Sequence, residues 1–178
     1  MPVTSTVPGL PAGDSTLEDV TLPDLTVLRD CRPDLRNVAD LWGQGWSVIP
    51  LKPKSKVPAI RWEEYQRRLP TPAELESWFT RPGFNVGIVT GAVSGIFVID
   101  ADSPAAVAWA EEELPPCDLR VRTSKGLHLY YPYSGSRRIR NKVRVEVRGE
   151  VLDIDIRGDG GYVVGPDRKS TRLNSSHT

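Results

Sequence analysis

Hydrophobic spacing divides the chain into alternating helical and extended stretches from residue 33 onward. Leu35, Val38, Ala39 and Trp42 recur at helical spacing after Pro33-Asp34, and Gly43 and Gly45 stop that pattern. Trp46-Ser-Val-Ile-Pro-Leu51 reads as a strand, and a polar loop from Lys52 to Pro58 leads on to Trp62. Thr71-Pro72-Ala73-Glu74 is a capping box with proline at the first helical position. The helix it opens carries Leu75, Trp78 and Phe79 on its apolar face and ends at Arg81-Pro82-Gly83. Asn85 to Gly91 and Ile96 to Asp100 read as two strands around a turn. Ser103-Pro104 caps a helix through about Leu114, stopped by Pro115-Pro116. Further strands are expected at Leu119–Thr123, Leu127–Tyr131, Lys142–Arg148, Val151–Arg157 and Gly161–Val164. Helices and strands are mixed and several strand pairs are hairpin-like, so the fold class is α+β with a largely antiparallel sheet.

The two ends do not follow this patterning. Residues 1–32 scatter Pro2, Pro8, Pro11 and Pro23 among Thr, Ser and Gly, which predicts a disordered leader with one helical turn around Leu17 to Val20. Asp167 to His177 has no hydrophobic period and matches the in-frame translation of a common sequencing adapter. The expected domain is therefore residues 33–166, truncated at its C-terminal side, with 167–178 a non-native tail. His177 is left out of any ligand set on that ground.

Composition adds few constraints. The chain has 178 residues, 39% hydrophobic and 26% charged, as in an ordinary globular domain. Cys31 and Cys117 do not make a disulfide framework and suit a reducing cytoplasm, the expected location. No apolar run approaches the ~20 residues of a membrane helix, so no membrane partner is expected. Lys and Arg total 23 against 23 Asp and Glu, so a nucleic-acid partner has to be met by a local patch.

Candidate chemistry sits on three strands. Ile96-Phe-Val-Ile-Asp100-Ala-Asp102 is apolar at successive positions, hence buried on both faces, and delivers two acids that strand periodicity points to one side. Adjacent carboxylates repel, and a divalent cation with a taste for hard oxygen, magnesium or manganese, removes that cost. Alone, the segment fits equally an acidic strand end with Ser103 as a plain helix cap. In Val151-Leu-Asp153-Ile-Asp155-Ile-Arg157 the aliphatic residues take one face, and Asp155 lies deeper in the strand than Asp153. Gly158-Asp-Gly-Gly161 then forms a loop that lets a ligand or another strand come close. His128 lies opposite Leu127 and Leu129; a lone strand histidine is commonly structural, but the turn Ser124-Lys125-Gly126 before it suits phosphate. A basic stretch, Arg137, Arg138, Arg140, Lys142, Arg144 and Arg148, contains one acid, Glu146. Its alternation with Val143, Val145 and Val147 gives a strand face that either follows a nucleic-acid backbone or merely solubilises an edge. Nucleophile elbows, Walker loops and Cys-x-x-Cys pairs are absent from the sequence.

In their order, Val98-Ile-Asp100-Ala-Asp102, Thr123-Ser-Lys-Gly-Leu-His128 and Asp155-Ile-Arg-Gly-Asp-Gly-Gly-Tyr-Val-Val-Gly-Pro166 resemble the N-terminal domain of bifunctional DNA primase/polymerases, in the archaeo-eukaryotic primase superfamily. Trp46-Ser-Val-Ile-Pro-Leu, Lys56-Val-Pro58, Trp62, Trp78 and Asn85-Val-Gly-Ile-Val-Thr-Gly91 also look like family positions, so the resemblance runs from about Leu35 to Pro166. It implies a primase-polymerase fold: an RNA-recognition-like sheet with an N-terminal α/β module beside it. It implies template-directed nucleotidyl transfer, with Asp100, Asp102 and Asp155 holding two Mg2+ or Mn2+ ions. His128 would contact the incoming nucleoside triphosphate, with Arg157, Lys56, Ser124 and Lys125 as further nucleotide-binding residues. Arg138, Arg140, Lys142 and Arg144 would track a DNA template or primer. A helicase module in the longer protein and a role in replicating a plasmid, phage or integrated element belong to the same implication. The chain departs from the family in having Lys125-Gly126 where many members carry paired glycines, in lacking a Cys/His cluster, and in stopping early. Two rivals use the same residues: a metal-dependent phosphoesterase or nuclease, and a truncated fragment that only binds nucleotide or DNA.

Overall fold

Val38, Ala39, Leu41 and Trp42 form the buried face of the first helix, α1 (Pro33–Gly43), in the computed structural model of the protein. The structure describes residues 33–80, 82–133 and 136–166; the expected leader with its helical turn, Arg81 and the adapter-like tail lie outside the described residues. Gly45, at φ +82°, turns the chain from α1 into β1 (Ser47–Leu51), which is buried throughout. A short 3-10 helix (Glu63–Gln66) precedes α2 (Pro72–Phe79), and the predicted capping box is complete. The Thr71 hydroxyl accepts the Glu74 N–H at 3.2 Å, and the Glu74 carboxylate accepts the Thr71 N–H at 2.8 Å. β2 (Asn85–Val89) pairs antiparallel with β1.

The second half is built on β3 (Ile96–Ala101), α3 (Pro104–Glu113), β4 (Leu119–Arg122), β5 (Leu127–Pro132), β6 (Glu146–Val147), β7 (Glu150–Val151), β8 (Ile154–Arg157) and β9 (Tyr162–Val164). Four of these strands make an antiparallel sheet in the order β4-β5-β3-β8. A β-α-β-β-β path with its first and third strands in the centre is the split arrangement of RNA-recognition-like folds. Where such folds place a second helix, the described residues between β5 and β8 hold the small β6–β7 hairpin instead. The last strand does not stay with this sheet. β9 crosses back to pair with β2, giving the three-stranded sheet β1-β2-β9 and tying the N-terminal module to the C-terminal end of the described chain.

The central sheet is covered on both faces, as the unbroken apolar run of β3 predicts. On one face Ile99, Ala101, Leu127, Leu129 and Ile154 pack with Ala106 and Ala110 of α3. On the other, Val98, Val121 and Tyr130 pack with Val38, Trp42, Trp46, Leu75, Ile88 and Val163 from α1, α2 and the three-stranded sheet.

Three local expectations are corrected. The strands flanking the turn at Gly91 share one bridge, Gly91 to Ile96, and enter different sheets. The strand expected at Lys142–Arg148 is reduced to β6, because the segment before it runs along β8 with one residue too many. Lys142 and Ile156 exchange both backbone hydrogen bonds, at 2.9 and 2.7 Å, while Val145 donates to the Ile154 carbonyl at 2.9 Å. Three steps on one side thus face two on the other, a bulge that puts Arg144 at φ 49°. Val145 therefore packs into the core while Val143 stays 60% exposed, so the valines do not share a face. The strand expected at Val151–Arg157 is broken at Leu152-Asp153, where the Ile154 N–H folds back to the Leu152 carbonyl at 2.8 Å.

Two predictions test this scaffold. The Arg68 guanidinium bonds Glu74 at 2.7 and 2.8 Å and Glu64 at 2.8 Å. It is the main cause that holds the Glu74 carboxyl at about 2, below its ordinary 4.5, and the Thr71 N–H and Tyr65 hydroxyl add to it. A lowered carboxylate contributes stability in full above its ordinary value and loses it as pH falls toward the folded value. The melting temperature of the wild type is therefore expected to fall more steeply between pH 4.5 and 2 than that of Glu74→Gln; parallel curves would refute the coupling. The second concerns Gly126, where an added Cβ would lie 1.8 Å from the Ala101 carbonyl oxygen. Gly126→Ala is expected to cost about 1–3 kcal/mol in denaturant unfolding, and an unchanged midpoint would contradict the close approach.

Candidate functional site

Toward the β3 C-terminus, the sheet face that packs on the N-terminal module changes from apolar to polar. Val98 is followed two residues later on the same face by Asp100, which stands opposite His128 of β5 and Asp155 of β8. Side chains directly opposite across antiparallel strands are neighbours, about 4.5–5.5 Å apart at Cβ. One acid on the central strand thus meets a histidine on one side and an acid on the other.

Asp100 and His128 are 6% and 7% exposed, and His128 Nε2 lies 3.2 Å from Asp100 Oδ1. The contact is not aligned as a hydrogen bond, and Asp100 Oδ1, His128 Nδ1 and the Tyr130 hydroxyl are buried with no hydrogen-bond partner. Burial is the largest influence on the Asp100 carboxyl and acts to raise its pKa. The His128 contact and the charges of Lys56 and Arg157 together outweigh it, so the group is held below its ordinary value. Asp155 is differently served: Oδ1 accepts the Arg144 N–H at 2.9 Å, and Oδ2 accepts Arg157 Nη2 at 2.6 Å. Asp102 lies just past β3, where its N–H donates to the Asp153 carbonyl at 2.8 Å and prolongs the pairing with the β8 side.

A cleft of about 180 Å³ opens at this place, lined by Lys56, Asp100, His128, Asn141, Arg157, Gly160, Gly161 and β9. The structure therefore brings together four residues singled out in the sequence, Lys56, Asp100, His128 and Arg157, with Asp155 next to them through Arg157. Asp102, Ser124 and Lys125 are not among the lining residues. The turn before His128 spends its donors internally, since the Lys125 and Gly126 N–H groups both point to the Thr123 hydroxyl, at 3.3 and 2.9 Å. Those two backbone donors are therefore already used within the turn. The close backbone contact in this turn is at Gly126, where an added Cβ would meet the Ala101 carbonyl oxygen. Of the basic stretch, Arg138, Arg140, Lys142 and Arg144 are exposed beside the cleft wall, whereas Arg148 is drawn to Glu113 of α3 at 3.1 Å.

Three further residues at the site escaped the sequence reading. Asn141 Oδ1 accepts the Gly158 N–H at 2.8 Å and would lie 2.4 Å from a Cβ on Gly161. Asp159 accepts from the Tyr133 hydroxyl at 2.7 Å and from the Ala92 N–H at 3.1 Å, fixing the glycine loop to the β2–β3 turn. The Tyr162 hydroxyl donates to the Lys56 carbonyl at 2.9 Å. The glycine-rich spacing of residues 158–161 signalled a close approach, but nothing in the pattern named the partners.

The donor set suits a hard divalent cation in chemistry: carboxylate oxygens, one of them buried and without a partner. In arrangement, no group of three or more His, Cys, Asp and Glu side chains among the described residues is placed to hold a metal. Asp155 already carries Arg157, which would have to be drawn away first.

No helix among the described residues is long and apolar enough to cross a membrane. No curated protein matches the chain. The family model described as bifunctional DNA primase/polymerase, N-terminal, matches residues 38–174, which spans both sheets, the cleft and well over half of the chain. With that match added to a split β-α-β-β-β sheet whose central acid opens into a cleft lined by Lys56, His128 and Arg157, the chain belongs to the bifunctional DNA primase/polymerase N-terminal family.

Proposed function

We propose that the protein carries out template-directed nucleotidyl transfer, acting as DNA primase and DNA polymerase, with Asp100 at the centre of the reaction. The observation that carries this reading is a buried carboxylate, one oxygen of which makes no hydrogen bond, in register with His128 and Asp155 and lining a cleft that also holds Lys56 and Arg157. Asp100, Asp102 and Asp155 would hold two magnesium or manganese ions, which lower the pKa of an attacking hydroxyl and neutralise charge on the phosphates. Lys56 and Arg157 bind the triphosphate, and Arg157 exchanges Asp155 for phosphate oxygen as it does so. His128 turns Nε2 toward Asp100 and lines the cleft where the triphosphate would lie. Arg138, Arg140, Lys142 and Arg144 hold the backbone of template or primer by charge. The setting implied by the resemblance is replication of a plasmid, phage or integrated element in the cytoplasm, alongside a helicase module.

Primer extension by the full chain, supplied with a primed DNA template, deoxynucleoside triphosphates and manganese, is the direct test. Asp100→Asn is expected to reduce incorporation by about a hundredfold or more while the protein still melts cooperatively. Incorporation that survives this change would overturn the assignment. Template cleavage that needs no nucleotide would favour the nuclease instead. A second expectation concerns DNA contact. Arg138→Ala, Arg140→Ala and Arg144→Ala together should weaken binding of primed template. They should also lower the slope of log K against log salt by about 0.9 for each phosphate no longer neutralised. Gel shifts identical to the wild type would remove the basic track from the reading.

A further inference from the structure

Lys56 occupies a loop, and a loop lysine is a poor anchor for a phosphate unless something holds its backbone. The side chain alone loses rotamer entropy when it is held, and a moving backbone adds to what binding must overcome. This loop is organised from within: the Lys52 N–H donates to the Val57 carbonyl at 2.8 Å, and the Val57 N–H to the Ser55 hydroxyl at 3.0 Å. Asn85 of β2 adds a bond to the Ser55 carbonyl at 3.1 Å. None of these bonds reaches the cleft. The Tyr162 hydroxyl does, since Tyr162 stands on β9, lines the cleft and donates to the Lys56 carbonyl at 2.9 Å. The tyrosine is itself steadied by Trp62, whose ring meets it edge-on at 4.9 Å and 73°.

We infer that Tyr162 is a positioning residue for nucleoside triphosphate binding, acting through Lys56 and not on the substrate. The inference rests on the proposed function in one respect, that Lys56 binds the triphosphate. Independent of that reading, Lys56 and Asp100 line the same cleft, so the pinned lysine shares its walls with the buried acid. Trp62 and Tyr162 act together: the ring contact fixes the phenol, and the phenol fixes the loop.

The test is calorimetric binding of dATP with manganese to the full chain, in a double-mutant cycle of Tyr162→Phe and Lys56→Ala. Phenylalanine keeps the ring against Trp62 and removes only the hydroxyl, so the melting temperature serves as the check on folding. Tyr162→Phe is expected to weaken dATP binding about three- to tenfold, and to have no further effect once Lys56 is alanine. An unchanged dissociation constant in Tyr162→Phe would overturn the inference. So would a loss of the same size in the Lys56→Ala background, which marks a structural role independent of the lysine. A wild type that binds no dATP overturns the functional reading and the inference with it. Binding that is abolished by Asp100→Asn but indifferent to Tyr162 overturns the inference alone.

Discussion

Burying a carboxylate in the middle strand of a sheet is costly, and the arrangement around Asp100 is the set of structures that offset that cost. An ionised acid taken out of water without compensation would protonate or unfold its surroundings. Register supplies the first compensation, because the strand pairing that sets Ile99 against α3 also sets Asp100 against His128. The remaining charge comes from far along the chain, Lys56 from the β1 loop and Arg157 from the end of β8. The oxygen that faces His128, Oδ1 at 3.2 Å, makes no aligned hydrogen bond. A folding domain gains nothing from that orphan, whereas a site that binds a cation or a donor does.

β9 makes that compensation structurally consistent. Because it returns to pair with β2 and not with the central sheet, the two sheets close over the same cleft from opposite sides. The loop that feeds it, residues 158–161, is packed so tightly that a side chain at Gly158 would meet the Ile139 carbonyl oxygen at 2.2 Å. Asn141 and Asp159 complete the fastening. The cleft wall thus depends on long-range hydrogen bonds between polar side chains and backbone, and not on apolar packing alone.

That division explains what the sequence disclosed. Elements whose formation is governed by local chemistry were legible: the Thr71 capping box, the Ser103 cap, the apolar run of β3 and the parity that sets His128 opposite Leu127 and Leu129. Elements governed by register were misread, since a single extra residue near Arg144 converts an alternating strand into a bulged edge with a short hairpin. The β3–β8 pairing needs knowledge of which strand follows which in space, and periodicity is silent on that. Tyr162 and Asn141 were illegible for a related reason. Their partners lie 106 and 17 residues away and are backbone atoms, which leave no trace in residue type.

The charge balance of the cleft bears on how its occupants would enter. Asp100 and Asp155 face Lys56 and Arg157, two acids against two cations, and Asp155 is held directly by Arg157 at 2.6 Å. A metal ion arriving alone would meet the guanidinium as well as the carboxylates, and a triphosphate arriving alone would meet the carboxylates as well as the cations. Each is repelled by half of the site. Were both to arrive together, Arg157 would be drawn from the Asp155 carboxylate to phosphate oxygen, and Asp155 would be released to act as a metal ligand. On the proposed reading, then, the Asp155–Arg157 pair that makes the ligand set incomplete in this structure also couples nucleotide to metal.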